Sequence, residues 1–208
     1  MKVFLTGGTG NVGIATVARL VDHGHDVTVV GRRERANLPG ATYEQCDVSD
    51  YDCVSRLMRG HDAVVHLAAI PNPLGNPGRS VFQSNAQGTF HIFEAAAENG
   101  ISRVVAASSI NALGYFFGDR GFPFPYLPVD EHSPRLATDA YSFSKQVVED
   151  IACYFWERDG ITSVCLRLPA VFAHDRLVEW QSEGAHPTAL MTPCLQLPDN
   201  ERADRLKR

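Results

Sequence analysis

The stretch "VFLTGGTGNVGIATVARL" (3–20) constrains this chain most, because Gly7, Gly8, Gly10 and Gly13 fall between a short apolar run and a helix-period run. It satisfies G-x-G-x-x-G from Gly8 and T-G-x-x-G-x-x-G from Thr6. Taken alone a glycine pattern marks only a tight turn. Between a first strand and a first helix it is the context that dinucleotide binding requires. Glycine lets backbone N–H groups approach a pyrophosphate, and the helix N-terminus beyond supplies partial positive charge.

The remaining chain repeats that strand-to-helix rhythm. Strands are expected at 2–7, 26–30, 42–46, 62–69, 102–108 and 162–168, with helices at 11–23, 50–59, 79–98 and 139–158. Alternation of this kind predicts an α/β chain, a Rossmann-like doubly wound parallel sheet with helices on both faces. Runs such as "VVHLAA" show little polar alternation and suit strands buried on both sides. Residues 111–138 break the rhythm, being rich in Gly, Pro and aromatics. They read as a long loop after strand five, at the sheet end where ligands bind, with substrate contact or cover for the sheet edge as its task.

Charge narrows the partners. At net −5, with 19 Lys plus Arg scattered along the chain, nucleic acid and anionic membrane are poor expectations and a small molecule is the better one. No apolar run approaches the ~20 residues that span a bilayer, and Met1 to Leu5 leads into a strand pattern, so a cytoplasmic protein is expected. The five cysteines form no C-x-x-C pair and read as reduced, structural thiols. The eight histidines lack ligand spacing, so no metal is expected.

The second strand ends in "VVGRRER". Gly31 stands where an acidic residue would receive a ribose 2′-hydroxyl, and Arg32 and Arg33 follow with the fork geometry suited to a 2′-phosphate. NADP is therefore preferred over NAD. In "CDVSD", Asp47 stands near where an adenine amino group would be received; alternatively Asp47 or Ser49 caps the helix that follows.

"DAYSFSKQVVED" (139–150) puts Tyr141 and Lys145 on one helical face. A phenol titrates near pH 10, but a nearby ammonium and a cationic nicotinamide both favour the phenolate. Tyr141 can then take the proton of a substrate hydroxyl as hydride leaves its carbon, while a serine from "VVAASSINALG" holds the oxygen.

Together "TGGTGNVG", "CDVSD", "DAVVHLAA", "SNAQGTFHIFEAA", "VVAASSINALGY", "YSFSK" and "CLRLPAVF" resemble the extended short-chain dehydrogenase/reductase superfamily, specifically the NAD-dependent epimerase/dehydratase family, from Lys2 to about Asp175. The resemblance implies Tyr141 as acid/base, Lys145 as ribose ligand and modulator of the tyrosine, and Ser109, chosen over Ser108 by counting back from Gly114, as the residue polarising the substrate oxygen. It implies cofactor contacts at Gly7, Gly10, Asn11, Val12, Gly13, Arg32, Arg33, Asp47, Val48, Leu67, Ala68 and Ala69. Asn85 would organise the end of strand four, and Pro169 and Val171 would lie near the carboxamide. Leu113-Gly114 departs from the family's tyrosine-glycine pair.

On this reading residues 1–175 form an NAD(P)-binding domain carrying Ser/Tyr/Lys, and 176–208 a short residual segment, with the family's C-terminal substrate region largely missing. "HDRLVEWQSEG" has the pattern of one amphipathic helix, and a fragment or a natural short form fits the length equally. The expected function is an NAD(P)-dependent oxidoreductase or epimerase/dehydratase acting on a sugar, nucleotide-sugar or related compound. The alternative is a non-catalytic NAD(P)-binding regulatory or interaction module. The oligomeric state is open; the resemblance implies that a homodimer would pair through the helices at 79–98 and 139–158, with "IACYF" suited to the contact.

Overall fold

The computed structural model describes residues 1–118, 120 and 123–172. Six strands, β1 (Lys2–Thr6), β2 (Asp26–Gly31), β3 (Thr42–Gln45), β4 (Ala63–His66), β5 (Arg103–Ala107) and β6 (Thr162–Leu166), form one sheet. Every pairing is parallel, and the order is β3-β2-β1-β4-β5-β6. The chain turns back between β1 and β4, so the crevice beyond their carboxyl ends is the switch point of the sheet.

Both faces of the central strands are apolar because each packs a helix layer, whereas the edge strands β3 and β6 are largely exposed. Phe4, Val30, Val64 and Val104 join one core with α2 (Tyr51–Met58), α4 (Gly88–Glu98) and α5 (Ala140–Asp159). Leu5, Val27 and Val29 point the other way, onto Val17 of α1 (Asn11–Asp22). Neighbouring Phe4 and Leu5 thus serve opposite cores, as the two-residue strand period demands. Phe4, Phe93 and Phe155 are fully buried, each contributing about 1.5–3 kcal/mol of apolar transfer.

The helix ends account for two corrections. Neither Asp47 nor Ser49 caps α2. Asp50 does, accepting from the Cys53 backbone N–H at 3.0 Å, while Asp47 folds its carboxylate onto the Ser49 N–H and hydroxyl, both at 2.9 Å. The expected helix at 79–98 is not one regular α-helix. α3 (Gly78–Phe82) passes through a π turn (Gln83–Gln87) into α4. The extra residue of that turn buries Asn85 and Ala86, and Asn85 then bonds the backbone beyond β4. α5 starts at the Asp139 cap, which accepts from Ser142 N–H at 2.8 Å, and ends on left-handed Gly160.

After a 3-10 turn at Ile110–Leu113, the described residues between 114 and 138 form no helix or strand. Gly114, with φ of 84°, lies under the Leu136 backbone, and a Cβ there would stand 2.3 Å from the Leu136 carbonyl oxygen. The departure from a tyrosine-glycine pair therefore keeps the glycine for close approach, while Leu113 is buried. None of the described helices is long and apolar enough to cross a membrane.

Compact units divide at Met1–Pro169 and Ala170–Arg208, and the architecture above is that of the first. The amphipathic pattern at 174–184 and the 176–208 segment lie outside the described residues, as does Cys194. Among the described residues Cys46, Cys53, Cys153 and Cys165 are free thiols.

Candidate active site

A groove of about 530 Å³ runs across the carboxyl ends of the strands. Gly7 and Gly10 line it after β1, Arg32 and Arg33 after β2, Asp47 and Val48 after β3, and Leu67, Ala68 and Ala69 after β4. Ser80, Gln83 and Ser84 close the far side. Sequence reasoning missed those three, since nothing in a helical pattern announces that the end of α3 and the start of the π turn will stand beside the groove.

The glycines are required by close approach. Gly7 has φ of 74°, and a Cβ on it would lie 2.6 Å from the Ala68 backbone nitrogen. A Cβ on Gly13 would lie 2.2 Å from the Gly7 carbonyl oxygen. Asn11, Val12 and Gly13 form the first turn of α1, whose N-cap Gly10 offers no side-chain cap to the amides there. The groove thus holds a backbone cradle that side chains would fill, ending on an uncapped helix N-terminus, and this fits a dinucleotide pyrophosphate. Beside Arg32, a Cβ on Gly31 would meet the Tyr43 hydroxyl, the far end of a side chain, at 3.0 Å. Gln45 and the Tyr43 hydroxyl donate to the carbonyls of Arg32 and Arg33 at 3.1 and 2.8 Å, pinning that backbone while both side chains stay exposed.

Ser109, Tyr141 and Lys145 come together beyond β5. All three are buried, and the Lys145 ammonium lies 5.9 Å from the Tyr141 ring centroid and donates to the Ala107 carbonyl at 2.6 Å. Phe117 meets the Tyr141 ring edge-on at 5.9 Å. Burial pushes the Tyr141 phenol up, the Ser109 hydrogen bond opposes this, and the Asp139 carboxylate adds to the rise. Burial brings Lys145 down to about 8. The Lys145 ammonium therefore stands beside the Tyr141 ring while its hydrogen bond goes to Ala107.

The two serines have separate partners. Ser108 donates to Glu149 at 2.6 Å, and Arg167 holds the same carboxylate with two bonds of 2.9 Å. Ser109 accepts from Asn111 N–H at 3.1 Å and from its side-chain amide at 3.2 Å. Asn85 accepts from Ile70 N–H at 2.8 Å and donates to the Ile70 carbonyl and to Ser144. Pro169 is exposed and does not line the groove; Val171 is exposed and belongs to the unit that begins at Ala170. Thr6, His66 and Thr89, buried between the groove and α5, were also missed. Their one signal was a histidine inside the apolar run "VVHLAA".

Sheet order, glycine cradle and groove define a Rossmann-type dinucleotide-binding protein. The profile of the NAD dependent epimerase/dehydratase family matches residues 3–192, and the chain belongs to that family. It is 32% identical over 203 residues to uronate dehydrogenase of Pseudomonas syringae pv. tomato, covering 95% of this chain and 70% of the relative. To UDP-glucose 4-epimerase of Lactobacillus helveticus it is 31% identical over 177 residues, 80% of this chain and 51% of the relative. The crystal structure of glucuronic acid dehydrogenase from Chromohalobacter salexigens superposes with a TM-score of 0.71 at 26% identity, covering 82% of this chain and 61% of that one. The chain therefore spans only about half to seven-tenths of the length of these proteins.

Proposed function

We propose that the protein is an NAD(P)-dependent oxidoreductase that moves hydride at a hydroxyl or carbonyl carbon of a sugar, nucleotide-sugar or related small molecule, with Tyr141 as acid/base. The observation that carries this reading is the buried group of Ser109, Tyr141 and Lys145 beyond β5, with Lys145 one helical turn from Tyr141 and its ammonium 5.9 Å from the phenol ring. A nicotinamide bound in the groove supplies hydride acceptance or donation. Asn111 fills the acceptor positions of Ser109 Oγ, so the Ser109 hydroxyl proton is left to donate to the phenol or a substrate oxygen. Tyr141 takes the proton from the substrate hydroxyl in oxidation and returns it to the oxygen in reduction. Lys145 spends one donor on Ala107 and keeps two for ribose hydroxyls.

Substrate class rests on the similarity to a uronate dehydrogenase and a UDP-glucose 4-epimerase. The second of these favours an epimerase, in which the hydride is returned to the substrate and no reduced cofactor accumulates. Incubation with uronates, aldoses and UDP-sugars and either NADP or NAD, followed at the nicotinamide absorbance and by product analysis, separates the two. Tyr141→Phe should abolish turnover and leave cofactor affinity nearly unchanged. Cofactor binding without turnover of any substrate would point to a non-catalytic binding module instead.

NADP is the proposed cofactor, supported by Arg32 and Arg33 on the groove. Arg32→Ala should weaken NADPH about tenfold or more, the worth of a charge-assisted bond, and NADH little; equal loss for both would sink the preference. We also propose a homodimer through α3–α4 and α5. Phe82 stacks on Phe143 at 5.4 Å and Phe90 on Tyr154 at 6.3 Å, and all four are exposed. The run "IACYF" contributes less than its composition promised, because Ile151, Ala152 and Phe155 are buried in the chain's own core and only Cys153 and Tyr154 face out. Sedimentation of wild type and Phe143→Glu tests it, and a monomeric wild type refutes it.

A further inference from the structure

His66 is fully enclosed, and its ring touches a hydroxyl on either side: Nδ1 lies 2.7 Å from Thr6 Oγ1 and Nε2 lies 3.1 Å from Thr89 Oγ1. Which nitrogen carries the proton follows from the bonds beyond. The Thr89 hydroxyl donates to the Asn85 carbonyl at 2.6 Å, so toward His66 it can only accept, and His66 Nε2 must be the N–H. Nδ1 is then an acceptor and takes the Thr6 hydroxyl proton. Thr6 Oγ1 in turn accepts the Ala68 backbone N–H at 3.1 Å.

The chain of bonds continues from Asn85. Its side-chain carbonyl takes Ile70 N–H, and its amide donates to the Ile70 carbonyl and to Ser144 Oγ, both at 3.1 Å. Ser144 then donates to the Tyr141 carbonyl at 2.7 Å. Each hydroxyl and amide proton is used once, in one direction, from the strand-four backbone lining the groove to the backbone of Tyr141.

We infer that His66, locked as the neutral Nε2–H tautomer, is a positioning residue that holds the nucleotide groove and the Tyr141–Lys145 helix in a single register. The inference deepens the functional proposal above and rests on it for its catalytic arm. One end of the bond chain fixes Ala68, whose backbone sits against Gly7. The other end fixes the residue before Lys145. A charged His66 would carry a proton on Nδ1, turning the acceptor for Thr6 into a second donor and breaking the order. Burial, with Lys145 as the nearby cation, holds the ring down at about 3, far below the ordinary histidine range.

The protein labelled with ¹⁵N and loaded with NADPH tests the tautomer by long-range ¹H–¹⁵N spectra, with His66→Gln used for assignment. A neutral Nε2–H ring that does not titrate from about pH 5.5 to about pH 9 is expected. Titration in that window, or a proton on Nδ1, overturns the inference. Thr89→Val tests the positioning, since it cuts the link from His66 to Asn85 without touching the groove. It should lower kcat about tenfold while the NADPH dissociation constant stays within about twofold, and Thr89→Ser should restore kcat. An unchanged kcat, or a Thr89→Ser variant as slow as Thr89→Val, overturns the role. A wild type that binds NADPH and turns over nothing would remove the functional proposal, and the spectra would still decide for or against the locked tautomer.

Discussion

Gly13→Ala isolates the cradle from everything else in the groove. Gly13 sits in the first turn of α1 with helical geometry, so the substitution is favourable for the helix itself by about 1 kcal/mol. The added methyl, however, would stand 2.2 Å from the Gly7 carbonyl oxygen, 2.6 Å from Gly8 Cα and 2.8 Å from the Gly8 carbonyl carbon. All are backbone atoms of the phosphate loop, and none can turn aside as a side chain would. Relief requires α1 to lift off the loop by roughly an ångström to regain van der Waals separation. Overpacking of this kind costs about 1–3 kcal/mol, so a net loss of up to about 2 kcal/mol remains after the helix gain. The lift also withdraws the N-terminal amides, so cofactor affinity should fall at least about tenfold. Gly10→Ala is the control, because its methyl would meet only the Gly7 carbonyl oxygen at 3.3 Å, and its stability should stay within about 0.5 kcal/mol of wild type. Urea unfolding gives the stability and NADPH fluorescence titration the affinity. If Gly13→Ala matched wild type in both, or if the two variants were equally destabilised, the cradle argument would be wrong.

Asp50→Ala removes the α2 cap and should cost about 1 kcal/mol in urea unfolding, whereas Asp47→Ala, which breaks only its own turn, should cost less; the reverse order would restore Asp47 as the cap. Lys145 is held at about 8 against its usual 10.5, so the unfolded chain binds the extra proton between those values and stability from this group should rise as pH climbs from about 8 to about 10.5. The shift corresponds to about 3 kcal/mol; the bared Ala107 carbonyl returns roughly 1 kcal/mol of it. Lys145→Met should therefore be more stable than wild type at pH 7 by about 2 kcal/mol, flat across that window, and inactive. A less stable Lys145→Met would mean that the ammonium is not penalised by burial. With the phenol pushed up, alcohol oxidation should speed up as pH rises above neutrality, because it needs the phenolate, and carbonyl reduction should not; parallel profiles would count against Tyr141 as the group that titrates.

The fold was legible because it is written in short-range patterns. Apolar runs at 2–7 and 62–69 with glycines or small residues after them mark the strand ends that shape the groove, and each strand was found within a few residues of its expected place. Tyr141 and Lys145 were legible for the same reason, since a spacing of four in a helix fixes a shared face. The π turn was not, because it goes with a tertiary contact, Asn85 with Ile70, that helical periodicity does not encode. Likewise "IACYF" is uniformly apolar, and only the packing of α5 on α4 decides that Phe155 turns inward while Tyr154 turns out.

His66 illustrates the deeper reason for what stayed hidden. On a strand buried on both faces a histidine is costly unless both ring nitrogens are satisfied, and the partners that satisfy it, Thr6 and Thr89, lie 60 and 23 residues away. Thr6 was read as the start of the glycine motif and Thr89 as part of the family stretch "SNAQGTFHIFEAA", each with a local reason to be where it is. Only the parallel pairing of β1 with β4, which sets Thr6 opposite His66, and the packing of α4 on the sheet bring them to one ring. The same long-range geometry explains the electrostatics of Tyr141. Lys145 follows it by one helical turn, and the ammonium, 5.9 Å from the Tyr141 ring centroid, donates to the carbonyl of Ala107 on β5, so the sheet decides where the charge of the pair stands. On the proposed role of Tyr141, a cation bound in the groove would add to the pull of that ammonium on the phenol, and proton transfer at Tyr141 would then be coupled to occupancy of the nucleotide site.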